Sequence, residues 1–326
     1  MPQTSLPYAS GRVGVLRRSA LKRSQLDRLL SAQDKTEADR TLSDIGFTSP
    51  DGGDFQAATE QRVLIACELI RSITPEPLVT DCYLLRYDIH NLKILFKSRH
   101  LAQKPQFLSA CGTLNVDKLR HYVAEHTYAS LPAELKAAME RLEKQSATHF
   151  DPMFVDTILD QAMYRQIFLN LSQSRRGEDT KKYFSTKADL QNLVMLLRLR
   201  AMGREPGDFL PLALPGGRIK PQTFLNAYAE SERLARQVRR YGDKVYQAAL
   251  AATADAAKLP FLEKTADDYL YGFIKAKQYD TDSIEYIIAY LLQKQRESTD
   301  VRLVMTGKLN GFAPEAVGER MRELDG

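Results

Sequence analysis

The chain has 326 residues, of which 44% are apolar and 27% are charged. This balance is typical of a soluble globular protein, and it excludes an intrinsically disordered or membrane-embedded chain. The net charge of +5 is a small surplus of 46 basic over 41 acidic residues, so charge alone does not indicate a nucleic-acid partner.

Helix is predicted along the whole chain, because Gly and Pro are sparse and apolar residues recur at three- and four-residue spacing. Loops between helices are predicted at residues 49–53, at Asp151-Pro152, at residues 203–211 and at residues 215–217. No apolar run reaches the ~18 residues of a membrane-spanning helix, so the chain is not expected to enter a bilayer. Three apolar stripes are expected to face a core, and in chain order they comprise Val13, Leu16 and Ala20; Leu131, Leu135, Met139 and Leu142; and Ile284, Ile287, Ile288 and Leu291.

The three cysteines, Cys67, Cys82 and Cys111, are odd in number and widely spaced. Such spacing argues against a disulfide framework or a zinc site and favours small buried thiols in a reducing cytosol. The basic residues near the N-terminus are not followed by an apolar block of signal-peptide length, so secretion is not expected. The sequence therefore predicts a cytoplasmic protein.

An internal repeat is the most informative feature of the sequence. Its first anchor is a Gly two residues before a branched apolar residue, and the three copies begin 101 and 105 residues apart. This spacing predicts an all-α protein of three degenerate helical repeats, at residues 1–105, 106–208 and 209–326. The three copies of the first anchor are Gly11-Arg12-Val13, Gly112-Thr113-Leu114 and Gly217-Arg218-Ile219.

The second anchor begins with an acid. A polar residue follows three residues after the acid, apolar residues follow four and seven residues after it, and a base follows eleven residues after it. These offsets return to one side of an α-helix, so the shared positions form one face. A helix that began near the acid and ended near the base would hold both charges favourably in its dipole. The three copies are Asp88, Asn91, Leu92, Leu95 and Arg99; Asp189, Asn192, Leu193, Leu196 and Arg200; and Glu297, Asp300, Val301, Val304 and Lys308.

Two interpretations of this shared face are open. In the first, the face belongs to the core, and its amides and charges form hydrogen bonds between helices. In the second, its polar residues contact a partner protein directly. Under either interpretation the repeat predicts that Asp88, Asp189 and Glu297 occupy related environments.

Several segments resemble the C subunit (eukaryotic d subunit) of the V-type and archaeal A-type rotary ATPases. The segment from Tyr87 to Lys93 looks like the acid, Asn-Leu-Lys signature of that family, and residues 183–193 resemble its second occurrence. The stretch from Glu297 to Gly311 is similar to the family's ending, where a helix stops at a Gly-Lys turn before a short final helix. Residues 8–13 resemble its opening.

The resemblance implies three related helical units around a pseudo-threefold axis, with a funnel-like shape. It also implies that the chain sits on the cytoplasmic face of the membrane, where it links central-shaft subunits to the membrane rotor ring. Its association with the membrane would be indirect, through the ring. Torque for proton or sodium transport would pass through the chain, with no cofactor, metal or nucleic acid involved.

The sequence contains none of the common catalytic motifs. Gly307-Lys308 is followed by Leu309 and lacks the leading Gly of a phosphate-binding loop. The five histidines include no His-Glu-x-x-His arrangement. The adjacent Asp267 and Asp268 would point in different directions on a helix. The chain is therefore predicted to be a non-catalytic subunit of a complex that hydrolyses or synthesises ATP.

Two other classes of protein remain open from the sequence. The main alternative is a generic helical-repeat adaptor that docks proteins on a concave surface. A helical nucleic-acid-binding protein is the third, and it depends on basic clusters that also fit solvated helix faces or contacts with acidic surfaces and lipid head groups. These clusters are Arg17-Arg18, Arg175-Arg176, and Arg236 with Arg239 and Arg240.

Overall fold

The structure is a computed structural model that describes residues 4–48 and 54–324. Within those ranges the chain forms 16 α-helices and no strand, which confirms the predicted all-α fold. In chain order the helices are α1 (Leu6–Arg17), α2 (Arg23–Ser31), α3 (Lys35–Asp44), α4 (Phe55–Ile73), α5 (Pro77–His100), α6 (Val116–Ala124), α7 (Ala133–Ser146), α8 (Pro152–Ser172), α9 (Glu178–Ala201), α10 (Phe209–Leu212), α11 (Pro221–Asn226), α12 (Ser231–Arg236), α13 (Asp243–Ala254), α14 (Leu259–Lys275), α15 (Ile284–Leu309) and α16 (Pro314–Arg320).

The chain divides into two compact units. Unit 1 comprises Met1–Pro75 and Asp267–Gly326, and unit 2 comprises Glu76–Ala266. These units follow from packing, whereas the predicted repeats follow from sequence similarity. The three-repeat division at residues 1–105, 106–208 and 209–326 therefore stays a prediction.

Helix α15 is the centre of unit 1. It packs against α4 along much of its length and also contacts α1, α2 and α16. Buried side chains lie all around α15, as expected for a helix that has neighbours on every side. Its first turn is capped by Ser283, whose hydroxyl accepts a hydrogen bond from the Tyr286 N–H.

Unit 2 is built around contacts between its helices. Helix α8 packs against α5 and α7, and α12 packs against α13. The Asp151 carboxylate caps α8 by accepting from the Met153 N–H at 2.9 Å, and Pro152 occupies the first turn, where a missing N–H costs nothing. Sequence and capping therefore agree on where this helix begins.

Most of the local predictions are confirmed. The second and third apolar stripes are fully buried, and in the first stripe Val13 is buried while Ala20 lies beyond the end of α1. Residues 215–217 lie between helices, whereas of the Asp151-Pro152 pair only Asp151 does, because Pro152 is the first residue of α8. The three cysteines are buried thiols. The prediction for residues 203–211 is partly wrong, because a 3-10 turn at Pro206–Asp208 leads directly into α10. The predicted loop at residues 49–53 lies outside the described residues.

The predicted helix stop at Gly307-Lys308 is early by one residue. Both residues lie in the last turn of α15, which ends at Leu309, and the short final helix expected after it is α16. Gly307 is needed for packing, since an added Cβ would lie 2.5 Å from a methyl group of Val317.

The three helices that carry the second anchor all end in the same way. A residue with positive φ follows each helix 14 positions after the acid: Ala102 at 51°, Gly203 at 66° and Gly311 at 68°. The next N–H then bonds back to a carbonyl five residues earlier, as in Gln103 to Ser98 at 2.8 Å. This is the Schellman arrangement, in which Gly is the residue of lowest cost.

Ala102→Gly should therefore stabilise the protein, because the left-handed conformation strains an L side chain. We expect the free energy of unfolding to rise by up to about 1 kcal/mol, measured as the urea midpoint followed by circular dichroism. Gly203→Ala is the matched control and should lower stability by about 1 kcal/mol, because an L side chain is strained at a φ of 66°. This strain is the whole effect, since the new Cβ would contact no atom within 4 Å. Equal effects of the two substitutions would contradict this explanation.

Candidate functional site

The second anchor lies within α5, α9 and α15. Its bases, Arg99, Arg200 and Lys308, lie in the last turn of their helices, where a cation complements the dipole. The expectation that each helix begins near the acid is wrong. The acids lie near the middle of long helices because their partners are loops that pass beside the helix.

We call a buried acid of the second anchor, the polar residue three positions after it and the loop that both bind a clamp. The first clamp joins α5 to the loop before α6. The Asp88 carboxylate accepts hydrogen bonds from the Thr113 N–H at 2.9 Å, the Thr113 hydroxyl at 2.7 Å and the Leu114 N–H at 3.0 Å. One turn further on, the Asn91 amide donates to the Ser109 carbonyl at 2.7 Å and accepts from the Ser109 N–H at 2.8 Å. The loop is thus hydrogen-bonded to the helix at two heights.

The second clamp repeats this geometry between α9 and the loop before α11. The Asp189 carboxylate accepts from the N–H groups of Arg218 and Ile219, both at 3.0 Å. The Asn192 amide donates to the Leu214 carbonyl at 3.0 Å and accepts from the Leu214 N–H at 2.7 Å. Residue for residue, Ile219 and Leu214 correspond to Leu114 and Ser109 of the first clamp.

The third clamp, in unit 1, keeps the acid but changes its surroundings. The Glu297 carboxylate accepts from the Leu21 N–H at 3.1 Å and forms a buried ion pair with Lys294 at 2.9 Å. Asp300, which replaces the Asn of the other copies, accepts from the Arg322 N–H at 3.2 Å with both oxygens. Leu21 lies two residues before α2, just as Leu114 and Ile219 lie two residues before α6 and α11.

The first copy of the Gly anchor is a coincidence of sequence. Gly11 lies inside α1, where an added Cβ would meet no atom within 4 Å. At Gly112 and Gly217 an added Cβ would lie 2.1 and 2.2 Å from the clamp carboxylates. In the third clamp Ser19 stands two residues before the donor N–H, and the acid is a Glu. Because Glu is one methylene longer than Asp, it reaches the loop from further away, where a Ser fits.

Burial raises the pKa of two acids on the shared face, Asp189 and Asp300. Burial raises the pKa of Asp189, although hydrogen bonds from the Tyr241 hydroxyl and from two backbone N–H groups oppose the change. Burial also raises the pKa of Asp300 to about 6, against the same kind of opposition from Arg322 and Arg296. The Tyr241 hydroxyl has a raised pKa for the matching reasons, burial first and its carboxylate partner second.

The three bases have different partners. Arg99 binds both oxygens of Glu143 at 2.7 and 2.8 Å and also donates to the Val123 carbonyl. Burial opposes ionisation of Glu143, but hydrogen bonds from Tyr128 and Arg99 outweigh it, so the pKa of Glu143 is lowered. Lys308 donates to the Ala32 carbonyl at 2.5 Å. The guanidinium of Arg200 lies 5.6 Å from the centre of the Tyr228 ring.

These contacts bear on the two interpretations of the shared face. The acids and polar residues Asp88, Asn91, Asp189, Asn192, Glu297 and Asp300 are all buried and hydrogen-bonded inside their own unit. This geometry suits a structural role. The bases are partly exposed, and their part in the function of the protein stays a prediction.

Possible metal sites, membrane-spanning helices and basic clusters were also considered in the sequence, and the structure bears on each. Among residues 4–48 and 54–324, no group of three or more His, Cys, Asp and Glu side chains is placed to hold a metal ion. Across the same ranges, no helix is sufficiently long and apolar to cross a membrane. Of the suspected basic clusters, Arg175 and Arg176 are exposed, as are Arg236, Arg239 and Arg240.

Sequence reasoning missed several residues of the clamps. Lys294 could have been found, because it lies three residues before Glu297, a spacing that places oppositely charged side chains side by side on a helix. Tyr241 and Glu143 lie 52 and 44 residues from their partners. At those distances along the chain, neither spacing nor periodicity connects a residue with its partner.

The fold and the clamps define an all-α protein in which three long helices each carry a buried acid at the equivalent position. The sequence model described as ATP synthase (C/AC39) subunit matches residues 9–320, and the chain belongs to this family. This confirms the resemblance suggested by the sequence motifs.

Individual relatives agree with the family match. The C subunit of the A-type ATP synthase of Methanosarcina barkeri is 22% identical over an alignment of 340 positions, which covers 98% of this chain and 93% of the relative. The C subunit of the V-type sodium ATPase of Enterococcus hirae is 24% identical over 277 residues, with 83% of each chain covered. The C subunit of the A-type ATP synthase of Thermococcus kodakarensis is 22% identical over 92% of this chain and 83% of its own length.

Gly112→Ala should destabilise the protein, because the new Cβ would lie 2.1 Å from the Asp88 carboxylate and 3.2 Å from its backbone nitrogen. We expect a loss of about 1–3 kcal/mol in urea unfolding. Gly11→Ala, in the coincidental copy of the anchor, is the control. It should raise stability by up to about 1 kcal/mol, since Ala is the better helix former. A similar loss at both positions would contradict the assignment of the anchor.

Asp300→Asn should flatten the dependence of stability on pH. The folded chain binds the Asp300 proton more tightly than the unfolded chain, so this contribution to stability is complete below about pH 4 and is lost as the pH rises through about 6. The substitution should reduce the difference in unfolding free energy between pH 4 and pH 7 by up to about 3 kcal/mol, measured from urea midpoints at both pH values. Asn91→Asp is the reciprocal control, and it should introduce a loss at neutral pH because a carboxylate cannot donate to the Ser109 carbonyl.

Proposed function

We propose that the chain is a non-catalytic central-stalk subunit of a V/A-type rotary ATPase that links the rotating shaft to the membrane rotor ring. In this role it lies on the cytoplasmic face of the membrane and contacts the ring rather than the lipid. The observation that carries the proposal is the family match over residues 9–320, together with relatives named as subunits of A-type and V-type complexes. Ion transport, of protons or sodium, is the work that the coupling serves.

The predicted pseudo-threefold, funnel-like arrangement stays part of this proposal, and the order of the clamps agrees with the predicted three-repeat division. With the repeats at residues 1–105, 106–208 and 209–326, each acid binds the loop of the next repeat in turn. Asp88 of the first binds Leu114 of the second, and Asp189 of the second binds Ile219 of the third. Glu297 of the third binds Leu21 of the first. Each of these hydrogen bonds therefore joins one predicted repeat to another.

The chemistry of the clamps also suits a body that transmits torque. A coupling body must keep its parts in fixed relative positions while torque passes through it, and buried charged hydrogen bonds fix a loop against a helix in direction as well as distance. Apolar contacts alone are less directional and permit sliding. The clamps act by position, so the proposed coupling requires no catalytic group in this chain.

The main alternative, a generic helical-repeat adaptor, makes a different structural demand. In an open solenoid each repeat contacts only its neighbours along the chain, so the last repeat does not bind the first. The hydrogen bond from Leu21 to Glu297 joins residues 276 positions apart. Successive repeats of an open solenoid do not provide such a contact.

The proposal predicts that ATP-driven ion transport needs this chain although ATP hydrolysis does not. The test is reconstitution in vesicles of the rotor ring, stator, shaft and catalytic headpiece of the source organism, with and without the purified chain. We expect co-purification of the chain with both shaft and ring, and transport only in its presence. Nucleic acid added at low salt is the control and should not bind. Transport at full rate without the chain, or failure to bind either shaft or ring, would refute the proposal.

A further inference from the structure

A cavity of about 540 Å³ lies in unit 1 between α1 and the start of α15. One side of α1 lines it with Gly11, Gly14 and Arg18, whose spacing of three and four residues places them on one helix face. Asp282, just before α15, and Tyr286, in the first turn of α15, also line it. The cavity opens to solvent, so a group from outside the chain can enter it.

Hydrogen bonds fix the segments around this cavity. The Ser10 hydroxyl of α1 donates to the Thr281 carbonyl at 2.6 Å. One turn of α1 further towards its end is also held, because the Arg17 guanidinium donates to the Gln278 side chain at 2.9 Å and to its carbonyl at 3.2 Å. The cavity therefore belongs to the folded structure and is available before any ligand binds.

The Tyr286 hydroxyl is the polar group in this cavity that lacks a protein partner. The residue is only 8% exposed, and its backbone N–H bonds to the Ser283 hydroxyl. Its own hydroxyl forms no hydrogen bond with the residues that the structure describes, and it is not among the fully enclosed atoms. It lies over α1 at Gly14, where an added Cβ would be 2.9 Å away. A nine-tenths buried side chain thus presents an unused donor to an open cavity.

The charges around the cavity favour an anion. Helix α1 and the residue that caps its end carry Arg12, Arg17 and Arg18 and no acid. Asp282 is an acid that lines the cavity, but no ion pair joins it to Arg18 among the described residues. The cavity also lies beside the N-terminus of α15, the positive end of the dipole of a 26-residue helix. An incoming carboxylate therefore meets more positive than negative charge.

We propose that this cavity binds the side-chain carboxylate of an acidic residue that belongs to a partner protein, with Arg18 and Tyr286 as the donors. The same pair of donors already holds a carboxylate elsewhere in the chain. Glu143 accepts hydrogen bonds from the Arg99 guanidinium at 2.7 and 2.8 Å and from the Tyr128 hydroxyl. At the cavity an arginine and a tyrosine are present and the acid comes from outside.

The surroundings of the donors suit a polypeptide better than a free ion. An added Cβ at Gly11 would meet no atom within 4 Å, so another chain can approach the backbone of α1 closely there. Val15 lines the cavity and is 65% exposed, which offers an apolar contact beside the charged one. The site is a property of the isolated chain and does not depend on the proposed coupling function.

The experiment is a titration of the full-length chain with N-acetylglutamate α-amide, which carries one side-chain carboxylate. The signals to follow are the NMR signals of 15N-labelled glycine amides, and Gly11→Ala identifies that of Gly11. We expect saturable shifts of the Gly11 and Gly14 signals in the millimolar range. N-acetylglutamine α-amide, the neutral twin of the probe, should cause no saturable shift.

Four variants test the assignment of the donors. Tyr286→Phe removes only the hydroxyl and should weaken binding about tenfold. Arg18→Gln should weaken it about fivefold, whereas Arg12→Gln, which removes the same charge from a residue of α1 outside the cavity, should leave it unchanged within about twofold. Asp282→Asn should tighten binding about twofold, because it removes a like charge from the cavity.

Several results would overturn the proposal. Glycine signals that do not respond, or equal responses to the glutamate and glutamine probes, would show that the cavity does not select a carboxylate. Saturation by inorganic phosphate alone would indicate a phosphate ligand instead. Equal losses in Arg18→Gln and Arg12→Gln would reduce the effect to diffuse attraction. If Tyr286→Phe does not fold, the contrast between the two arginine variants decides. Loss of reconstituted transport is a separate result and does not affect this one.

Discussion

The hydrogen bond between a buried carboxylate in mid-helix and the backbone N–H groups of a passing loop is the interaction on which the architecture depends. A carboxylate without partners in the interior is very costly, so an acid whose charge is not neutralised by its own helix requires its loop to be in place. The loop in turn has backbone donors that need acceptors away from water. Helix and loop therefore stabilise each other, and the position of one determines the position of the other.

This mutual requirement accounts for the residues around each clamp. Gly112 and Gly217 are glycines because the carboxylate occupies the space where a Cβ would stand. Asn91 and Asn192 follow one turn after the acid because an amide can both donate to and accept from one peptide group. Residues on other faces of the same helices have no such requirement. The second anchor is consequently visible in the sequence while the helices around it have diverged.

The sequence predicted the helices and the spacing of the acids well, because both depend on side chains. The donors of the clamps were harder to find, since Leu21, Leu114 and Ile219 act through backbone N–H groups that leave little trace in residue type. Gly11 was assigned wrongly for that reason: a Gly before a branched residue matched the pattern, whereas the true counterpart is Ser19. The third clamp deviates most, with Glu for Asp and Asp for Asn.

The ion pair of Lys294 with Glu297 gives the contact between the first and last parts of the chain a particular electrostatic character. Both charges come from one helix, three residues apart, and both are buried. The Leu21 N–H thus bonds to a group whose charge is already neutralised by its own helix. Separating that loop from α15 would leave a neutral pair behind instead of a bare anion. This contact can therefore open without creating an isolated charge.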